Sequence, residues 1–160
     1  MAIDYFLEID GIKGESPDKA HKDKIQLESW SWGESQSGSS SAGGGGGAGK
    51  VSMQDFTFAM QVNKASPILF ISCANGKHIS KATLTCRKAG EKQQDYLKIH
   101  FEELLISSYQ TGGSAGQEIP IDSISFNFAK IKFEYAPQDA KGGLGTPIIH
   151  GWDLKQMVKW

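Results

Sequence analysis

The residues best placed by type and spacing to do chemistry lie between Gly44 and Lys50, which read GGGGAGK. The spacing is that of the phosphate-cradling pattern G-x-x-x-x-G-K-[ST]. In that pattern backbone N–H groups hold the phosphates, the Lys reaches the outer ones and the following hydroxyl binds Mg²⁺. Here the hydroxyl position is Val51, and Ser52 comes one residue late. The motif also needs a buried strand before it and a helix after it. Instead, Ser-rich chain precedes it and Val51 to Val62 alternates like a strand. A glycine tract produces such a match by composition alone, so a spacer or contact loop is the better reading.

The other reactive residue types are dispersed. His21, His78, His100 and His150 show no H-x-x-x-H or H-E-x-x-H spacing, and Cys73 and Cys86 form no C-x-x-C, so no metal site is assigned. The two cysteines fall in a helical pattern and on an alternating strand, and are read as reduced thiols rather than a disulfide. The adjacent pair Glu102-Glu103 sends its side chains to opposite faces of a strand, which does not suit paired-carboxylate chemistry. No strand-to-helix nucleophile elbow is read among the abundant serines. No catalytic residue and no cofactor site follow from the residues, and the inference is a scaffold or binding role.

What must position any functional residue is a β-rich chain. At 160 residues and 17.4 kDa it is one domain by length, residues 1–160, large enough to bury a real core. A net charge of −1 lacks the basic excess of a nucleic-acid binder. No apolar run approaches the ~18 residues needed for a spanning helix, so no membrane insertion is expected. The N-terminus MAIDYFLEID has acids inside its first apolar strand and no basic leader, which points to synthesis and folding in a cytoplasm. Export would then need a route that removes no signal.

Ile3, Tyr5, Leu7 and Ile9 alternate with polar residues as a half-buried strand, and Gly11 to Lys24 is a charged connection. Ile25 to Trp32 is a second strand with Trp30 and Trp32 on one face and Ser29 and Ser31 on the other. It runs into a Gly/Ser-rich loop over about residues 33–50, longer than compact domains usually tolerate without a function. Phe56, Phe58, Met60 and Val62 then share a face. The one helix is expected from Ser66 as N-cap, with Pro67 at the first position, Ile68 to Ile71 turned inward and Asn75-Gly76 as the left-handed stop. Ala82, Leu84 and Cys86 begin the second β run, with a hairpin turn at Lys88 to Glu91. Tyr96 to Tyr109 is a long strand interrupted by a bulge or bend at Glu102-Glu103. Ile119 to Tyr135 keeps period two but changes phase, either through a bulge or because a partner covers its outer face. The chain closes on a strand in GWDLKQMVKW. Many strands with one short helix imply a β-barrel or sandwich.

The segments WSWGESQSGS, GGGGGAGKVSMQDFTF, GKHISKATLTCRKAGE and GWDLKQ together resemble the haemolysin-coregulated protein (Hcp) family, the tube subunits of bacterial type VI secretion systems. The similarity runs from Met1 to the end in the same order. It implies a mainly β fold: a compact β-barrel of two antiparallel sheets, one short helix on its side and a long Gly/Ser-rich extended loop. It also implies a non-enzymatic structural role. Six copies form a ring, and rings stack into a tube that a contractile sheath expels with its spike while small effector proteins ride in the lumen. No nucleic acid is among the implied partners. Such proteins are made in the bacterial cytoplasm and reach the extracellular space or a target cell without a signal peptide. Some members carry a fused toxin; a chain stopping at Trp160 looks like the plain structural form.

On this resemblance the loop positions Gly38, Gly43, Gly44, Gly45, Gly46, Gly47, Gly49 and Lys50 meet the neighbouring ring. A flexible Gly-rich chain of that length reaches roughly 20 Å. Ordering it costs ~1 kcal/mol per residue, so it is expected to settle only when rings stack. The phase-changing strand is expected to face the adjacent subunit, and Ser29 and Ser31 are the candidates for the lumen and effector surface. The reading from residues alone leaves two rivals. One is a monomeric or dimeric cytoplasmic β-barrel that binds a ligand. The other is an enzyme acting through a fused activity or through the imperfect phosphate loop, whose Lys50-dependent nucleotide binding Val51 argues against.

Overall fold

The computed structural model describes residues 3–38, 49–88 and 93–160. In chain order these form β1 (Ile3–Ile9), β2 (Ile25–Leu27), β3 (Ser29–Ser31), β4 (Glu34–Gln36), β5 (Val51–Met53), β6 (Phe56–Gln61), α1 (Ser66–Asn75), β7 (His78–Lys88), β8 (Gln94–Gly112), β9 (Ile121–Tyr135), β10 (Ile148–Asp153) and β11 (Val158–Lys159). Nine strands make one antiparallel sheet, and β4 with β5 makes a separate two-stranded one. The expected mainly β architecture with one short helix is what the chain adopts.

β9 organises the large sheet. One of its edges pairs with β8 over its whole length, from Gly112↔Ile121 to Leu97↔Tyr135. Its other edge is divided: Ile121 to Phe126 pair with β6, and Lys130 to Tyr135 pair with β10. One limb therefore runs β9, β8, β7, β1, β2, and the other β9, β6, β3. The chain from Ile25 to Ser31 joins the far ends of the two limbs. Its first part pairs with β1, its last with β6, and between them the Glu28 N–H donates to the Ala59 carbonyl at 2.8 Å.

The space between the limbs is filled by aromatic side chains at strand spacing. Phe56, Phe58, Phe101 and Phe126 are all buried, with the Phe56, Phe101 and Phe126 ring centroids 5.0–5.1 Å apart. Each such pair adds ~0.5–1.5 kcal/mol beyond the burial itself. The phase change in β9 has a local cause. Glu103, opposite it on β8, takes a left-handed φ of 57°, and both strands bend where β9 passes from one limb to the other. Phe128, Ala129 and Ile131 all stay buried through the bend, so no outside partner is needed there. The register shift in β8 comes later, between Ile106 and Ser108. Apolar side chains do emerge at the end of the limb, where Phe133, Tyr135, Ile148 and Ile149 are exposed.

The helix departs from expectation at its start. Its N-cap is Ala65, and Ser66 is already inside the helix with its hydroxyl donated to Asp122 Oδ2 at 2.6 Å. The Asn63 side chain instead accepts the Ala65 N–H. The Ser66 hydroxyl accepts the Asn63 N–H at 3.1 Å while it donates to Asp122, so from inside the helix it ties the preceding turn to the buried carboxylate. Gly76, at φ 64°, ends the helix as expected. Of the apolar run only Leu69 is buried, while Ile68, Phe70 and Ile71 are exposed. The expected strand over Val51 to Val62 is likewise two strands, split at Gln54-Asp55 and assigned to different sheets. Cys73 and Cys86 are both free thiols, and burial pushes the Cys86 thiol up to about 12.

The charged connection of residues 11–24 is a strap across the outer face of β1 and β7. It is held by Arg87, which is buried and donates to both carboxylate oxygens of Asp18, at 2.9 and 2.6 Å, and to Asp4 at 3.2 Å. The Phe6 ring lies between the Arg87 guanidinium, 4.9 Å from its centroid, and the His21 imidazole stacked at 4.4 Å. The hydrogen bonds from Arg87 hold the Asp18 carboxyl at about 2, below its usual 3.8. A depressed carboxyl contributes stability above its ordinary value and loses it as pH falls toward the lowered one. The gap in unfolding midpoint between the native chain and Asp18→Asn is therefore expected to hold from neutral pH to about pH 5, and to close as pH falls through 4 toward 2. Acid titration of both proteins, followed by circular dichroism, measures it.

Candidate functional site

The serines singled out on β3 do not stand alone. Cα register carries them across three further strands into two rows, Ser31–Thr57–Ser125–Ser108 and Ser29–Ala59–Ser123–Gln110. The intervening row, Trp30–Phe58–Ile124–Tyr109, points the other way, with Phe58 and Ile124 fully in the core and Trp30 stacked 6.0 Å from Phe56. Alternation across four strands thus places hydroxyl, amide and methyl groups on one outer face, with no charged side chain in either row. The bulge at Ser107 brings its hydroxyl to Ser125 at 2.8 Å and to Asp55 at 2.5 Å, and Ser108 also meets Ser125. Asp55 is the carboxylate at the rim of this face.

The outer face of the other limb is built differently. Its rows are Glu8–Thr83–His100–Lys132 and Lys81–Glu102–Lys130, with Lys98 beside Glu134. His100 meets Glu134 at 3.1 Å and Lys130 meets Glu102 at 3.9 Å. Soluble surfaces are normally about 25–35% charged. The charged limb is of that kind and the serine face departs from it.

Two anchors keep the serine face in register. Asp122, fully buried, accepts from Ser66 on α1 and from the Tyr109 hydroxyl at 3.0 Å, which ties the helix to β8 and β9. Burial and the Asp122 carboxylate raise the Tyr109 phenol above its ordinary value. The other anchor is the β4–β5 ladder, in which Glu34 faces Met53 and Gln36 faces Val51 at the root of the glycine-rich loop. Gly38 donates its N–H to Gln36, Lys50 is exposed and its carbonyl accepts from Ser37, and a Cβ on Gly49 would collide with the Gly38 backbone. Only glycine fits where the two arms cross. Gly43, Gly44, Gly45, Gly46 and Gly47 lie outside the described residues. Val51 opens a strand rather than a helix, which removes the context a phosphate-binding loop requires.

The sequence reading missed Thr57, Ala59, Ser108, Gln110, Ser123 and Ser125. The signal was present in β6 and β9: every outward position of FTFAMQ and of SISF is small or uncharged. Ser108 and Gln110 were not recoverable, because the bulge at Ser107 shifts their register. The segment GGSAG, 112–116, spells G-x-S-x-G, yet it belongs to the exposed β8–β9 turn and not to a strand-to-helix elbow. Among the described residues no group of His, Cys, Asp or Glu is placed to hold a metal, and no helix is long and apolar enough to cross a membrane.

Residues 6–135 match the protein family described as "Type VI secretion system effector, Hcp". The chain belongs to the Hcp family. It is 49% identical to protein hcp1 of Pseudomonas aeruginosa over 161 residues, covering 99% of both chains. Among solved structures it superposes on Hcp1 from Salmonella typhimurium with a TM-score of 0.83 at 36% identity, covering all of both chains. A structure described as a type six secretion system protein gives a TM-score of 0.93 at 27% identity, over 99% of this chain and 100% of that one. Hcp membership makes this a type VI secretion protein, and the serine face and the loop root are the parts of it whose chemistry needs explaining.

Asp122→Ala leaves the Ser66 and Tyr109 hydroxyls without their acceptor. It is expected to lower stability by about 1–3 kcal/mol and to speed amide exchange in α1 more than in β7. Denaturant unfolding with residue-resolved hydrogen exchange checks both.

Proposed function

We propose that this chain is a structural, non-catalytic subunit of the type VI secretion tube. Six copies close into a ring with the serine face lining the bore, rings stack into a tube expelled by the contractile sheath with its spike, and small effectors travel inside. The observation that carries the reading is the pair of uncharged cross-strand rows through Ser31 and Ser29. A conduit must hold its passenger firmly enough to load it and weakly enough to release it. Short hydroxyl and methyl groups meet both demands. They offer hydrogen bonds without fixed charge, and they project little into the bore.

Three further features support assembly. Phe133, Tyr135 and Ile148 are exposed on one face where β9 pairs with β10, an apolar strip that an adjacent subunit would cover. A stable contact of this kind buries on the order of 1,000 Å². The β4–β5 ladder holds the arms of the loop Gly38–Lys50 together at its root, consistent with a contact to the next ring. The third is membership of the Hcp family, a type VI secretion family.

The purified protein is expected to have a mass near six times 17.4 kDa and to form annular particles in negative stain. A clean monomer at tens of micromolar would contradict the ring, and would favour instead a ligand in the groove of about 570 Å³ beside Trp32, Phe133 and Trp152. Ser31→Glu is expected to leave rings intact while reducing effector capture in co-purification by at least about tenfold, since it sets like charges around the bore. Loss of the rings would place Ser31 in the subunit contact instead. Deletion of residues 39–48 is expected to leave single rings and abolish their stacking, scored by sedimentation.

A further inference from the structure

A second concavity lies on the charged limb, away from the serine face. It is a groove of about 950 Å³ between the strap, the outward positions of β1, β7 and β8, and the start of α1. Lys13, Lys22, Lys64 and Lys81 line it, and none has a carboxylate within ion-pair distance among the described residues. A fifth lysine, Lys24, is already engaged by Glu8 at 3.5 Å and by His21 Nδ1 at 3.1 Å. Asp10 accepts from the Ser80 hydroxyl, which leaves its charge in place, so Glu8, Asp10 and Asp23 face five lysines and the groove carries an excess of two positive charges. In a chain of net charge −1 this is a local concentration of positive charge.

The base and rim of the groove are apolar. Ile12 and Ala82 lie at its floor, and Ile68 stands at its rim, exposed on the first turn of α1. Every free cation in it is a lysine, the only arginine of the chain being buried beneath the strap. Lysine gives point charges on flexible apolar stems, suited to carboxylates spaced along a chain, whereas phosphate recognition favours the planar arginine fork. No Phe, Tyr or Trp lines the groove to stack on a base. Its volume exceeds what a single small anion fills.

We infer that this groove is a docking site for an acidic amphipathic segment of a partner protein, its carboxylates meeting Lys13, Lys22, Lys64 and Lys81 and an apolar side chain packing on Ile68. The inference does not depend on which face lines the bore, because it rests on the subunit's own surface.

The test uses the full purified chain and a fluorescent, end-capped peptide of alternating Glu and Leu, titrated by anisotropy at low and at physiological ionic strength. Binding is expected at low salt and weaker at about 0.15 M, where charges more than about 8 Å apart are screened. The double reversal Lys13→Glu/Lys81→Glu is expected to weaken it by at least about tenfold. Ile68→Ser, which keeps every charge, is expected to weaken it by about threefold or more, from the lost apolar contact. The reversal Lys141→Glu/Lys159→Glu, outside the groove, is expected to leave it unchanged. Absence of binding at low salt, or binding indifferent to Lys13 and Lys81, would overturn the proposal. So would duplex DNA that binds as tightly with the same dependence on those lysines, since that would reveal a general polyanion surface.

Discussion

The whole structure depends on β9 serving three ladders at once. A strand buried within a sheet must pair both of its edges, and β9 does so by giving one edge to β8 throughout and dividing the other between β6 and β10. Division requires the sheet to part into two limbs at Asn127–Ala129, between the two ladders. The left-handed turn at Glu103 lets β8 follow the same bend, and its carboxylate pairs with Lys155 in the C-terminal turn. The cluster around Phe126 fills the angle between the limbs. Without that cluster the bend would expose its apolar lining to water, and without the change of phase there Ser123 and Ser125 would point to the opposite side of β9 from Lys130 and Lys132.

Separating those two outer faces gives the molecule its functional character. Both consist of solvent-facing residues on antiparallel strands, so backbone physics alone does not distinguish them. Side-chain choice does: one limb repeats Lys, Glu and His in cross-strand pairs, the other repeats Ser, Thr, Ala and Gln. Cross-strand opposite charges stabilise a sheet by ~0.2–1 kcal/mol per pair, and the serine face forgoes this. In the tube-subunit reading proposed above, the omission suits a face that meets a passenger. A subunit that presents one face to a passenger and another to its surroundings gains from making them chemically unlike.

Much of this was legible in the residues, for physical reasons. Half-buried strands have period two, so the alternation in Phe56 to Met60 and Ala82 to Cys86 leads directly to the observed core. In β1 only Leu7 and Ile9 follow it, Ile3 being exposed and Phe6 buried beneath the strap. Asn75-Gly76 ended the helix as expected, because few residues besides glycine adopt a φ of 64° cheaply. What escaped were interactions between distant parts of the chain. Ser66 looks like an N-cap, but the helix starts one residue earlier, with Ala65 as the cap and the Ser66 hydroxyl donated across the fold to Asp122. The phase change in β9 left a bulge and an outer partner both open, and the left-handed φ at Glu103, where a bend was expected, favours the local cause. Ser29 and Ser31 were recognised on β3, but the rows they begin depend on register with β6, β9 and the bulged part of β8, which no local pattern encodes. The glycine loop was recognised by composition, whereas its short β4–β5 root, with no alternation of buried residues, was not.

The measurement that bears most directly on this account is a side-chain-resolution reconstruction of the assembled ring by electron cryomicroscopy. The account predicts that the row Ser31–Thr57–Ser125–Ser108 lines the bore, with Lys81, His100 and Lys132 on the outer wall. A bore lined by the Lys81 and Lys132 face, with the serine rows buried between subunits or turned outward, would contradict it.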